Sequence, residues 1–167
     1  MIWAVAFVLP LAAGCFHAYR VDADRASACE IVLRYLCGGL FGVWMIFTGA
    51  CHVLFSRSVA EYIGWTPGSP FQLELGFASI GLGLMALRLA LLRTGDRLAA
   101  WLGASVFYLG AAGMHVVDMV QRSNFSEGNA GAVFYVDILA PLLAFGLWLG
   151  SRTGSSHIRQ RREPLRV

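Results

Sequence analysis

The chain has 167 residues, of which 57% are hydrophobic and only 14% are charged, and its mean hydropathy is +0.63. The apolar residues come in long blocks, which excludes an ordinary soluble domain and indicates a single polytopic membrane domain. The net charge of +3 is modest, and we predict no nucleic-acid partner.

Five stretches are long and apolar enough for a helix to cross the hydrocarbon core, which takes about 20 residues. They are residues 2–19, 31–55, 71–93, 98–121 and 132–150. We therefore predict an all-α bundle of five transmembrane helices in residues 1–151, followed by a basic tail in residues 152–167. Because the first stretch is short, the alternative is four core spans behind an N-terminal signal-anchor.

The arginines predict the orientation of the bundle. They concentrate in residues 20–34, in the turn at 93–97 and in the tail, whereas the other two loops hold only Arg57 and Arg122. By the positive-inside rule, the N-terminus lies outside and the C-terminal tail is cytoplasmic. The lipid bilayer is thus the first predicted partner, and self-association is left open.

Ionisable residues recur at one depth of the predicted bundle. The second span carries His52, the third Glu74, the fourth His115 and Asp118, and the fifth Asp137. At a rise of 1.5 Å per residue, all five fall within roughly 3–10 Å of the outer helix ends. Since such groups in hydrocarbon normally face the bundle interior, we predict that they meet near the outer face.

Helical spacing supports this meeting. Two stripes with a spacing of three or four residues carry the histidines: Trp44, Thr48 and His52 on the second span, and Tyr108, Ala111, Ala112, His115, Asp118 and Arg122 on the fourth. The spacing of Ser69 and Gln72 predicts a capping box at the start of the third span, and Asn129 is a candidate cap for the fifth.

Two segments carry a resemblance to a known family. "GWTPGSPFQLELGFASIGLG" and "GAAGMHVVDMVQRSNFSEGNAGAVFYVDILAP" resemble a family of small bacterial multi-pass membrane proteins of unknown function, over about residues 62 to 141. The resemblance implies a bacterial cell (inner) membrane location and supports the span boundaries. It implies no activity.

The cluster admits four interpretations. It is a polar knot that only fixes helix packing, or a divalent-metal site (Zn, Fe or Mn) with the ligands His52, Glu74, His115, Asp118 and Asp137. Alternatively, it is an acid–base site for a lipophilic terpenoid, sterol-like or quinone molecule, with Glu74, His115 and Asp118 as catalytic candidates. Transport is the fourth interpretation, and it would require oligomerisation. We favour a site for a metal ion or small ligand, because Ser, Thr or Asn could fill a packing role alone.

Overall fold

The computed structural model describes residues 2–92 and 97–153, and in these ranges the regular secondary structure is helical. The elements in chain order are α1 (Ile2–Arg20), α2 (Arg25–Gly38), a π-helical segment (Gly39–Trp44), α3 (Met45–Leu54), α4 (Ser56–Ile63), α5 (Phe71–Leu91), α6 (Arg97–Arg122), α7 (Glu127–Ala130) and α8 (Ala132–Thr153).

Within the described residues, four helical stretches are long and apolar enough to cross a membrane: Arg25–Leu54, Phe71–Leu91, Trp101–Arg122 and Glu127–Thr153. They coincide with the second to fifth predicted spans, and the chain has the build of a multi-pass membrane protein. The first predicted span coincides with α1, which is not among these four. The tail residues 154–167 and most of the predicted turn at 93–97 lie outside the described residues.

Helix α5 shows how the bundle suits a membrane. Its buried positions are Gln72, Gly76, Ser79, Gly83, Ala86 and Ala90, all small except the first. Large apolar side chains such as Phe77 and Leu84 point outward instead and are 64% and 56% exposed. Without a hydrophobic drive between helices in lipid, small residues let the backbones approach, while large apolar ones face the acyl chains.

Glycines produce the closest helix contact, between α5 and the α2–π–α3 stretch. A Cβ added at Gly49 would lie 2.6 Å from the carbonyl oxygen of Gly76, and one added at Gly83 would lie 2.9 Å from that of Gly42. Any side chain at these positions would push the helices apart. Below this contact, Leu33, Leu36, Cys37, Leu40, Phe41 and Met45 form a fully buried core with residues of α5, α6 and α8.

The turn between α1 and α2 is held by a side-chain cap. Asp24 is the N-cap of α2 and accepts the backbone N–H of Ser27 at 2.8 Å. This bond stabilises the carboxylate and lowers the pKa of Asp24 below 3.8. Helix α1 then packs along α2 and α8, and its Pro10 lies against Gly39 of the π-helical segment.

The capping box predicted for α5 forms only in part. Ser69 Oγ accepts the backbone N–H of Phe71 at 3.3 Å, but the Gln72 side chain turns into the bundle instead of bonding back to the helix start. The predicted cap of α8 was wrong. Asn129 lies inside α7, where it is fully buried rather than capping α8. In both cases a histidine of another helix, His52 or His115, holds the side chain that was predicted to cap.

Candidate functional site

One end of the bundle holds a partly open cavity of about 440 Å³ between α3, α5, α6 and α8. We call this the aromatic cavity, because its wall includes Trp3, Trp44, Phe47, Tyr62, Trp65, Phe71, Phe107 and Tyr108. Helix α4 covers one side of the cavity with Val59, Tyr62 and Ile63, and we call α4 and the following Trp65 the roof of the cavity. Its size and mostly apolar wall are those of a small-molecule site.

His115 and Asp137 place a polar pair in this wall. His115 on α6 and Asp137 on α8 are 7% and 3% exposed, and His115 Nε2 lies 3.5 Å from Asp137 Oδ2. Helices α6 and α8 pack along each other, which brings the two side chains together. The predicted stripe on α6 is correct here, since Tyr108, Ala111 and His115 all line the cavity.

Asn129 fixes the orientation of the His115 ring. Its Nδ2 donates to the backbone oxygen of Asn124 at 2.7 Å and to that of His115 at 3.4 Å. Its Oδ1 therefore faces His115 Nδ1, at 2.6 Å, and accepts a hydrogen bond from it. With the proton of the neutral ring on Nδ1, the Nε2 that faces Asp137 is the atom that gains or loses a proton.

His52 lies in the wall of the same cavity, on α3. Its Nδ1 is 2.5 Å from Oε1 of Gln72, the buried residue that the sequence assigns to a cap. Trp44 and Thr48 line the cavity with it, which confirms the predicted stripe on the second span. His52 and the His115–Asp137 pair thus share one cavity.

Asp118 is buried but belongs to the rim rather than to the cavity wall. Its Oδ2 accepts the Nε1–H of Trp65 at 2.5 Å, and its Oδ1 accepts from Arg122 Nη1 at 2.8 Å. Trp65 follows α4 and lines the cavity, so this bond ties the roof to α6. Asp118 therefore fixes the position of Trp65, and with it the segment that follows α4, over the cavity.

Further contacts seal the roof. Asn124 Nδ2 donates to the Ile63 carbonyl oxygen at 2.9 Å, and Tyr62 packs so closely on Gly128 that a Cβ there would lie 2.6 Å from its ring. Gly64 ends α4 with a φ of +85°, a left-handed conformation that favours glycine. Partial burial and the nearby Glu127 carboxylate both raise the pKa of Tyr62, so its hydroxyl stays neutral at physiological pH.

Glu74 does not join the others. Its side chain is exposed on α5 and does not line the cavity. Within residues 2–92 and 97–153, no group of three or more His, Cys, Asp and Glu side chains is arranged to hold a metal ion. Of the five predicted residues, the structure pairs His115 with Asp137, adds His52 to the same wall, places Asp118 at the rim and leaves Glu74 outside.

Sequence reasoning missed the two residues that orient the histidines, Gln72 and Asn129, and the helix α4 that roofs the cavity. The signal for Gln72 is its place in the small-residue stripe of α5, at the spacing of Gly76, Ser79 and Gly83. Helix α4 has a strongly one-sided apolar pattern that a search for long spans passes over.

Fold and site together define a multi-pass helical membrane protein with an aromatic cavity and a buried His–Asp pair. A family model matches residues 1–157, and the chain belongs to that family, the family of unknown function DUF6790. Neither the curated proteins nor the solved structures contain a match.

Proposed function

We propose that this protein binds a small lipophilic molecule in the aromatic cavity, with the His115–Asp137 pair as its polar anchor. The observation that carries the proposal is the combination of about 440 Å³ of mostly apolar space with a buried ionisable pair in its wall. Burying such groups costs stability that a packing role alone would not require, since neutral polar side chains also link helices.

The test is to identify what the cavity holds. Protein purified in detergent would be extracted with organic solvent, and the extract analysed by mass spectrometry. Ala111→Phe places a ring inside the cavity wall, whereas Gly113→Phe, on the same helix, adds one where a Cβ meets nothing within 4 Å. We expect a stoichiometric lipophilic compound in the wild type and in Gly113→Phe, and its loss from Ala111→Phe. Equal content in all three proteins would refute the cavity as the site.

A second candidate is acid–base catalysis on the same lipophilic molecule, and the fixed His115 ring favours it. Because Asn129 holds Nδ1–H, His115 presents Nε2 beside Asp137 as a single proton-exchanging position. Such a pair can take a proton from a substrate atom and return it to another, as an isomerase or cyclase requires. Turnover of the extracted compound by the wild type but not by His115→Gln or Asp137→Asn would establish it.

Divalent-metal binding by His52, Glu74, His115, Asp118 and Asp137 stays a prediction. The ligand types suit Zn, Fe or Mn, but the exposed Glu74 and the Asp118 bonds to Trp65 and Arg122 argue for a smaller ligand set. Elemental analysis of wild type beside His115→Ala and Asp118→Ala decides it. Stoichiometric metal in the wild type that is lost in both variants would establish a metal site and refute the proposal that the His115–Asp137 pair anchors a lipophilic molecule.

For the membrane, we propose five spans, with α1 as the first, in a bacterial cell membrane. The 19 residues of α1 come close to the length that crosses a bilayer, and the arginine asymmetry supports an outside N-terminus and a cytoplasmic tail. This orientation puts the aromatic cavity in the outer half. Reporters fused after Ala60, Gly95, Ser126 and Ser155 should be outside, inside, outside and inside; an outward signal at Gly95 or Ser155 would refute it.

A further inference from the structure

The facing atoms of His115 and Asp137 both need hydrogen-bond partners, and this limits which ligand groups can bind beside them. This step rests on the proposed binding function. His115 Nε2 and Asp137 Oδ2 are 3.5 Å apart, beyond the usual 2.7–3.2 Å of an N–H···O bond. A polar ligand atom beside the pair, on the cavity side, can lie at a normal hydrogen-bond distance from both.

Counting protons shows which atom fits. Asn129 already takes the Nδ1 proton of His115. A buried pair is least costly without net charge, and in that state Nε2 and Oδ2 share one proton. A hydroxyl group accepts that proton from one partner and donates its own to the other, which satisfies both. A carbonyl or ether oxygen only accepts, so it leaves either Nε2 or Oδ2 buried without a hydrogen.

The rest of the cavity wall is mostly apolar and favours a ligand whose remaining atoms are apolar. The hydroxyls of Thr48 and Ser79, which also line it, donate to backbone oxygens of their own helices, at 3.2 Å to Met45 and 2.8 Å to Leu75. The aromatic side chains supply most of the other wall. His52 and the Nε1–H of Trp44, which has no hydrogen-bond partner in the described part of the chain, are further polar groups of this wall. The wall is otherwise apolar and suits a ligand that is apolar apart from one hydroxyl end.

We infer that the cavity selects a lipophilic alcohol or phenol, whose hydroxyl bridges His115 Nε2 and Asp137 Oδ2. The bridge forms whether the shared proton is on Asp137, with both groups neutral, or on His115, as an ion pair. In each case the hydroxyl donates to the partner that lacks the proton. The carboxylate of Asp137 thereby acts as the selector between hydroxyl and carbonyl compounds of the same carbon skeleton.

The probes are farnesol, its methyl ether, the aldehyde farnesal and farnesylamine. Binding to the purified full chain in lipid nanodiscs would be followed through the emission of tryptophans such as Trp44, which lines the cavity, against the mole fraction of probe in the lipid. Ala111→Phe nanodiscs measure partitioning into the bilayer. We expect farnesol to bind about tenfold or more tightly than the ether and the aldehyde, the ratio typical of one satisfied buried hydrogen bond.

Asp137→Asn is the decisive variant. Asparagine keeps the shape of aspartate but carries two N–H donors, one for His115 Nε2 and one for the ligand oxygen, so a carbonyl is then satisfied as well. The preference for farnesol over farnesal should therefore shrink, through tighter binding of farnesal. Glu74→Gln makes the same change on an exposed acid outside the cavity, and it should leave the preference intact. Unchanged tryptophan emission without probe confirms that each variant is folded.

The outcomes separate this inference from the binding proposal. If the ether or aldehyde binds as tightly as farnesol, yet Ala111→Phe abolishes binding, the hydroxyl inference is wrong and cavity binding stands. If farnesylamine binds more tightly than farnesol, the ligand is an amine and the inference is again wrong. If no probe binds above the Ala111→Phe level and the solvent extract is empty, both are wrong.

Discussion

Replacing Asn129 with alanine tests whether its hydrogen bonds to Asn124 and His115 support the His115–Asp137 pair. The Asn129 side chain is fully buried and makes two short hydrogen bonds, at 2.6 Å with His115 Nδ1 and 2.7 Å with the Asn124 carbonyl oxygen. The variant leaves a donor and an acceptor without partners. At about 1–3 kcal/mol for each of the two unsatisfied groups, we expect a loss of about 2–6 kcal/mol, toward the lower end where water enters the space.

The free energy of unfolding would be measured in mixed detergent micelles. The Cys37 thiol is fully buried in the core, so its reaction with a thiol dye reports opening of the bundle. The other three cysteines would be replaced by alanine in every protein compared. Fluorescence of the tryptophans gives a second probe of the same transition, and agreement between the two supports two-state analysis.

Ser126→Ala is the matched control. Its hydroxyl donates to Asn124 Oδ1 at 2.7 Å, but Ser126 is only half-buried, so water can replace the lost bond. We expect a cost below about 1 kcal/mol. A cost for Asn129→Ala no larger than that for Ser126→Ala would refute the assignment of Asn129 as the buried support of His115.

Three further predictions use the same unfolding measurement. Gly49→Ala puts a methyl group 2.6 Å from a backbone oxygen of α5 and should cost about 1–3 kcal/mol, whereas Gly81→Ala meets nothing within 4 Å and should be neutral or stabilising; equal stabilities would contradict the close packing. The pKa of Asp24 is lower in the folded than in the unfolded chain, so its cap stabilises the fold above pH 3.8 and is lost as the pH falls through the folded pKa. The difference in free energy of unfolding between wild type and Asp24→Ala should therefore disappear on acidification. A difference that does not depend on pH would count against the cap. Trp65→Phe removes the donor to buried Asp118 and should cost about 1–3 kcal/mol; an unchanged stability would show that this bond does not hold the roof.

Hydropathy was sufficient to locate four of the long helices, because lipid requires about 20 apolar residues in each span. It could not place Glu74. Helix α5 is apolar on nearly all sides, so depth alone suggested that Glu74 faces inward. The buried face is instead the stripe of small residues through Gly76 and Ser79, and Glu74 lies two positions from Gly76, on the opposite side.

The histidines were predictable and their partners were not, for a related reason. His52 and His115 lie on stripes of regular spacing within single helices, which sequence periodicity reveals. Gln72 and Asn129 are near helix starts, where local rules favour a cap. Their side chains are held instead by partners 20 and 14 residues away in the chain, and no local rule contains those contacts.

The π-helical segment Gly39–Trp44 decides where His52 points. Cys37, Phe41, Met45 and Gly49 are all buried at a strict spacing of four residues. In a regular α-helix each step of four overshoots a full turn by about 40°, so three steps would rotate Gly49 about 120° away from the core. The wider turn of a π-helix takes up the extra residue and keeps this face inward. Since His52 follows Gly49 by three residues on the same helix, the irregular turn that buries Gly49 against α5 also directs His52 into the aromatic cavity.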